Sequence, residues 1–420
     1  MSRPALRSVR RELLVAAVLL AATTLVFWAS RLDLVAADAF RSPCCSWPLK
    51  DLPFWRFVYR FGVFAGLLLA AAALCTLTLS YWFPRRLLTW RRPALFLVLV
   101  VAVGPGLVVN VVFKDHYGRP RPREVVELGG QERFLAVWVP GSDRQAKSFP
   151  CGHCAMGFYL ATPWLVLRRR RRGLAWAFLA AGAGWGAVLG AARMMAGGHF
   201  LSDVVWSAGM VWLVALALHR LLDPERAPDA AAVAAAEGGA RGKARVATAL
   251  SGAALFVLTA GVLVATPYVS EGKAFARSDA ELAASAAPRL EVRLDDAAVS
   301  AEGGPGLSAV YDVNAFGFPT SRVGWAFREG PEGAVLWIDR VGWFTERRTE
   351  VRLGLPAGGP RPVRLEVGKG RVRLDLSRFA PTARLEVFVG EGDIQVHGGE
   401  ALLQAGSVTL RAERGRVVRE

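Results

Sequence analysis

Acidic residues are scarce over the first 267 positions, where 14 Asp and Glu stand against 31 Lys and Arg. From residue 268 onward the two signs are equal at 21 each, so the formal net charge of +17 belongs to the first part. That part is also the apolar part, which makes the basic excess a membrane feature and excludes nucleic acid as a partner. Cysteine and histidine number only five each among 420 residues. No His, Cys and carboxylate cluster has metal-site spacing, so neither a metal nor another cofactor is expected. The chain also lacks the composition of a disordered or fibrous protein. It is 53% hydrophobic with 14 Trp, and its mean hydropathy is +0.31.

Long apolar runs take the place of what is missing. A membrane helix needs about 20 mostly apolar residues. Runs at 12–30, 58–83, 93–113, 152–167, 173–194, 201–220 and 246–267 predict seven spans, the fourth of them short. Basic residues fall in alternate connections: Arg3 to Arg11, Arg85 to Arg92, Arg168 to Arg172, and Arg220 to Arg245. The positive-inside rule makes those segments cytoplasmic. The loops near 31–55, 114–151 and 195–200, and the tail from 268, then face outward. A removable signal peptide is the competing reading of the first run, but its apolar stretch is long and no small-x-small cleavage site follows.

The expected fold is an all-α polytopic membrane bundle, with six core helices and a seventh span, followed by an all-β extracytoplasmic domain. Residues 1–222 form the membrane domain, 223–245 an Ala- and Gly-rich linker, 246–267 the last span and 268–420 the β domain. The tail alternates with period two, as in Val363-Arg-Leu-Glu-Val, between Gly and Pro breaks. Arg-Leu-Glu-Val recurs at Arg289, Arg364 and Arg384, which suggests a β-repeat. The tail weakly resembles the β-repeat domains of some bacterial envelope-stress proteins.

Three polar clusters fall on the outer side of this topology. The first runs from Lys114 through Arg119 and Arg121-Pro122 to Arg123. The second is Ser148-Phe-Pro-Cys151-Gly152-His153-Cys154. The third is Arg193, His199 and Asp203. Ionisable groups at membrane helix ends are functional candidates by default. Lys114, Arg121 and Arg193 suit phosphoryl oxygens. Gly152 permits close backbone approach at a helix start, where amides favour an anion. His199 and Asp203 share a face if one helix carries both, so the carboxylate can fix the imidazole tautomer. His153 is then available to protonate a leaving oxygen.

Lysine, six residues, Arg-Pro; Pro-Cys-Gly-His; and Arg, five residues, His, three residues, Asp together resemble the signature of the type-2 phosphatidic acid phosphatase superfamily. The resemblance covers about 54–222. It implies a helical, metal-independent membrane phosphatase in which His199 attacks phosphorus, Asp203 supports it and His153 is the general acid. Lys114, Arg121, Cys151, Gly152 and Arg193 would hold the phosphate. Cys151 stands where the family usually has Ser, and a thiol is the weaker donor. The family's bacterial members act on lipid A phosphates, undecaprenyl pyrophosphate or phosphatidylglycerol phosphate. The stretch Glu124 to Gly130 looks most like the lipid A phosphatase branch. The resemblance thus implies a multi-pass enzyme of the inner membrane, with its site on the periplasmic face and a lipid phosphate as substrate.

Blander readings cover the remaining residues. Arg119 and Arg123 read as headgroup or solvent contacts, Arg56 and Arg60 as snorkelling side chains, and His116 and His219 as structural. Cys151-Gly-His-Cys154 matches a redox motif, but no βαβ pattern surrounds it. A cysteine phosphatase would place Arg six residues after its Cys, where Gly157 and Leu160 stand. A disulfide among Cys44, Cys45, Cys151 and Cys154 suits an oxidising compartment, and the pairing stays open. Cys75 should be packed in its span. The rival functions are a phosphatase-fold scaffold acting through the β domain, and a vanadate haloperoxidase, whose usual soluble form argues against it. The β domain could also present the enzyme to an envelope partner.

Overall fold

The computed structural model describes residues 3–419, apart from 43–46, 131, 142–145, 229–239, 265, 285–286, 319 and 359–360. It divides into two compact units, Met1–Phe256 and Val257–Glu420. The first is helical: α1 (Arg3–Ala29), α2 (Leu32–Asp38), α3 (Pro53–Phe61), α4 (Phe64–Trp82) and α5 (Pro84–Val101). The chain continues from α5 through π-helical turns at Ala102–Lys114. Then come α6 (Gly152–Tyr159), α7 (Pro163–Leu167), α8 (Arg172–Met195), α9 (Leu201–Leu222) and α10 (Ala240–Val264). Pro53 and Pro84 open α3 and α5, where the missing N–H is no loss.

Among the described residues, six helical stretches are long and apolar enough to cross a membrane: Arg10–Ala29, Pro53–Trp82, Pro84–Lys114, Arg172–Met195, Leu201–Leu222 and Gly242–Gly261. The short span expected at 152–167 is not one continuous helix. It forms the two short helices α6 and α7, broken ahead of Pro163, which has no N–H to continue the ladder. The broken pair still leads away from the polar clusters to Arg168, whose Nη1 donates to Glu12 Oε1 at 2.8 Å. Next to it, Arg169 lies 3.3 Å from Glu225. α1 packs along α9, and Trp206 Nε1 donates to Thr24 Oγ1 at 3.0 Å. The middle of the linker predicted at 223–245 lies outside the described residues.

Among its described residues the second unit holds a seven-stranded and a six-stranded sheet. Strands Leu290–Asp296, Val363–Lys369, Leu385–Glu391 and Val408–Arg414 lie side by side and parallel. Strands Ala298–Gly304, Val372–Asp375, Ile394–His397 and Val417–Arg419 do the same in the other sheet. The expected β-repeat is therefore present as a stacked coil. The Arg-Leu-Glu-Val copies at Arg289 and Arg384 align, while the copy at Arg364 is displaced by two residues. An even displacement keeps the same side chains inward. Gly392 stacks on Gly370 at successive corners with φ near 136° and 142°, a conformation that favours glycine.

Candidate active site

The three polar clusters converge at one end of the helical bundle. Lys114 ends the long helix that begins at Pro84, His153 sits in the first turn of α6, Arg193 in the last turn of α8, and His199 in the turn to α9. The helix assumed to carry both His199 and Asp203 begins only at Leu201, so their shared-face relation is corrected. Instead Asp203 caps α9, its Oδ2 accepting the Phe200 N–H at 2.8 Å.

His199 Nδ1 lies 2.5 Å from the Ser148 carbonyl oxygen. A carbonyl only accepts, so Nδ1 carries the proton and Nε2 keeps its lone pair. The nearest Asp203 oxygen is 3.7 Å from Nδ1, too far for a hydrogen bond. The carboxylate works through an intermediary: the Ser148 hydroxyl donates to Asp203 Oδ2 at 2.7 Å. Ser148 thus grips the carboxylate with its hydroxyl and the imidazole with its carbonyl. Burial and the charges of Arg193, Lys114 and Arg121 hold His199 well below the usual imidazole range, against the pull of the Ser148 carbonyl.

Nε2 faces cations. Arg193 Nη2 is 3.5 Å away, and Arg193 is only 2% exposed. Its Nε and Nη1 have no hydrogen-bond partner among the described residues. Buried guanidinium donors left open demand an acceptor. Arg121 and Arg123 both lie within electrostatic reach of Arg193, and Lys114 and Arg193 within reach of His153. Like charges gathered this closely repel one another unless an anion lies between them. Gly152 has a second reason to be glycine: a Cβ there would lie 2.6 Å from Asn110 Oδ1.

Two flanking arginines correct the expectation of headgroup or solvent contact. Arg119 is fully buried. It donates from Nη1 to Asp203 Oδ1 at 2.5 Å, from Nη2 to Asp33 Oδ2 at 2.9 Å, and from Nε to the Leu135 carbonyl at 3.0 Å. Burial opposes its charge, but Asp203 and Asp33 more than offset that and raise it above the ordinary range. Arg123 is half-buried, and its backbone N–H donates to the Gly197 carbonyl at 3.2 Å, tying the first cluster to the α8–α9 turn.

A model of the PAP2 superfamily matches residues 93–227. The chain is 35% identical over 170 residues to the lipid A 4′-phosphatase of Francisella tularensis subsp. novicida (strain U112), covering 40% of this chain and 76% of that protein. The chain belongs to the PAP2 superfamily. The lipid A 4′-phosphatase of Rhizobium leguminosarum is 36% identical over 117 residues, 27% of this chain and 49% of that protein. Among solved structures, a PAP2 type phosphatidylglycerolphosphate phosphatase from Bacillus subtilis aligns at 20% identity with a TM-score of 0.31, covering 54% of this chain and 98% of that one. The chain is a multi-pass membrane lipid phosphatase of the PAP2 type.

Its departure from the PAP2 pattern, Cys151, has no thiol proton to offer. Cys151 and Cys154 form a disulfide, both fully buried, with Cα atoms 5.4 Å apart. What Cys151 contributes is backbone: its N–H donates to Ser207 Oγ at 2.8 Å, and its sulfur accepts the Cys154 N–H. Cys44 and Cys45 lie outside the described residues. Cys75 is exposed rather than packed. His219 is buried against the Phe96 edge, as a structural histidine. Arg56 lies 3.5 Å from Asp51 at the surface.

Tyr59 was invisible to motif reasoning, because it comes from α3, outside the matched segment. Packing of Val58 against Leu189 and Ala192, with Trp185 Nε1 donating to the Gly62 carbonyl at 2.8 Å, fixes α3 on α8. That brings the Tyr59 ring to 4.4 Å from the Arg193 guanidinium carbon and 5.8 Å from the His153 ring centre. Tyr59→Leu is expected to lower kcat/KM about tenfold, the equivalent of losing a buried cation–π contact of ~1–2 kcal/mol. Tyr59→Phe keeps the ring and should stay within about threefold of wild type on the same scale. Steady-state phosphate release checks both, and equal losses in the two variants would assign the effect to the hydroxyl.

Proposed function

We propose that this PAP2 chain removes phosphate from lipid A through a phosphohistidine at His199. The observation that carries this is the setting of His199: Nδ1 is held by the Ser148 carbonyl, and Nε2 faces Arg193, whose Nη2 is 3.5 Å away and whose Nε and Nη1 have no partner among the described residues. In the first step the Nε2 lone pair forms the N–P bond, the P–O bond to the lipid breaks, and His153 gives its proton to the departing oxygen. Arg193, Arg121 and Lys114 take the charge on the phosphoryl oxygens, beside the first turn of α6. In the second step water attacks phosphorus, His153 takes its proton, the P–N bond breaks and orthophosphate leaves. Asp203 stabilises the positive charge carried by the phosphorylated ring. No step calls for a metal, so excess chelator should leave the rate unchanged.

The lipid A assignment is supported by the two relatives of that name. We place the enzyme in the inner membrane with this site outward, because basic residues crowd the opposite end of the bundle, around Arg168 to Arg172. The test is phosphate release by the full chain in detergent from lipid A, undecaprenyl pyrophosphate, phosphatidylglycerol phosphate and phosphatidic acid. Lipid A should be fastest, and a faster rate on another of the four would reassign the substrate. The same assay carries a pH prediction. Activity requires unprotonated Nε2, and burial with neighbouring cations favours that form. The acid limb of kcat/KM assigned to His199 should therefore fall below the ordinary imidazole value of about 6.5.

A further inference from the structure

Asp33 lies on α2, outside residues 93–227 that match the family, and is 2% exposed. Its Oδ1 accepts the Ser202 N–H at 2.8 Å, and its Oδ2 accepts the Ser202 hydroxyl at 2.6 Å and Arg119 Nη2 at 2.9 Å. Arg119 Nη1 also donates to the Ser202 hydroxyl oxygen at 2.8 Å. The other prong of the same guanidinium meets Asp203 at 2.5 Å. Two buried carboxylates therefore share one arginine, and with both ionised the cluster behind His199 carries one negative charge in excess. With Arg119 and Asp203 alone it would be neutral, and the field reaching the imidazole would nearly cancel.

We propose that Asp33 is a positioning residue of the phosphatase reaction, acting on His199 through Arg119 and Asp203. By taking half of the Arg119 fork it fixes the Asp203 carboxylate in place and leaves the cluster one negative charge. That charge opposes the cations facing His199 from the other elements: Arg193 on α8, Lys114 at the end of its helix, Arg121, and His153 on α6 when protonated. When Nε2 bonds to phosphorus the ring becomes positive, and the negative cluster stabilises what the cations disfavour. The inference rests on His199 as the nucleophile.

The test is the pH dependence of kcat/KM for lipid A phosphate release, using the full chain in detergent. Removing a negative charge disfavours the protonated imidazole, so Asp33→Asn should move the His199 acid limb to lower pH. The expected shift is about half a unit, with kcat down about tenfold and KM within about twofold. Ser202→Ala removes a hydroxyl partner of Asp33 without changing charge, and its acid limb should stay in place. If Asp33→Asn does not accumulate folded, Asp33→Ser removes the same charge and gives the same reading. An active wild type whose acid limb is unmoved by either Asp33 variant overturns the proposal and leaves Asp33 a packing residue. A wild type inactive on every lipid would instead overturn the nucleophile reading beneath it.

Discussion

His199→Ala is expected to abolish phosphate release, with a loss of about ten-thousandfold or more in kcat. The size follows from what the imidazole does: the cations described around Nε2 have no lone pair to replace it where it meets phosphorus. Arg193, Lys114 and Arg121 are cations without one, and His153 belongs to the opposite side of the reaction. The variant also leaves the buried Ser148 carbonyl without its partner, a stability cost of about 1–3 kcal/mol. Thermal unfolding in detergent therefore accompanies the assay, so that lost chemistry is separated from lost fold. His153→Ala should cost about a hundred- to a thousandfold with a lipid substrate, and much less with an aryl phosphate whose leaving group needs no proton. Retention of most activity in His199→Ala would move the nucleophile elsewhere.

Arg119→Leu carries the largest expected effect on stability. It leaves Asp33 and Asp203 buried, close together and without their shared cation. Breaking a buried pair by removing one partner costs about 3–5 kcal/mol, because the stranded charge has lost its solvation and its partner. The loss should appear as a large drop in unfolding temperature. Arg119→Lys keeps the charge but cannot bridge two carboxylates with a planar fork, so it should fall between wild type and Arg119→Leu. A Leu variant as stable as wild type would mean that water reaches this cluster.

The reach of sequence reasoning is clearest at this pair of arginines. Arg119 and Arg121 stand two apart in one Arg-Pro-Arg-Pro run, and spacing alone assigns Arg121 to the phosphate and Arg119 to the surface. The side chain that buries Arg119 is Asp33, 86 residues upstream on α2, and no local pattern announces it. A buried arginine with two carboxylates is a tertiary fact. Tyr59 is similar, brought to Arg193 by helix packing rather than by a motif. The convergence of the clusters that hold Lys114, Arg121, His153, Arg193 and His199 was legible because the motifs fall at helix ends, where topology gathers them. The role of Asp203 as a helix cap was not legible, since that depends on where α9 begins. The break in the fourth apolar run was signalled by Pro163, which hydropathy alone outweighed. In the β unit, alternation and the Arg-Leu-Glu-Val copies revealed strands and repetition. They did not reveal register, because a displacement of two residues preserves the inward face.

The most direct measurement is a rapid acid-free quench of the full chain turning over lipid A, followed by peptide mass analysis under alkaline conditions that preserve phosphohistidine. A phosphoryl group on the peptide containing His199, absent from the His199→Ala protein, is the result the mechanism requires. Turnover at a normal rate with no phosphorylated histidine, or with the label on His153, would contradict it.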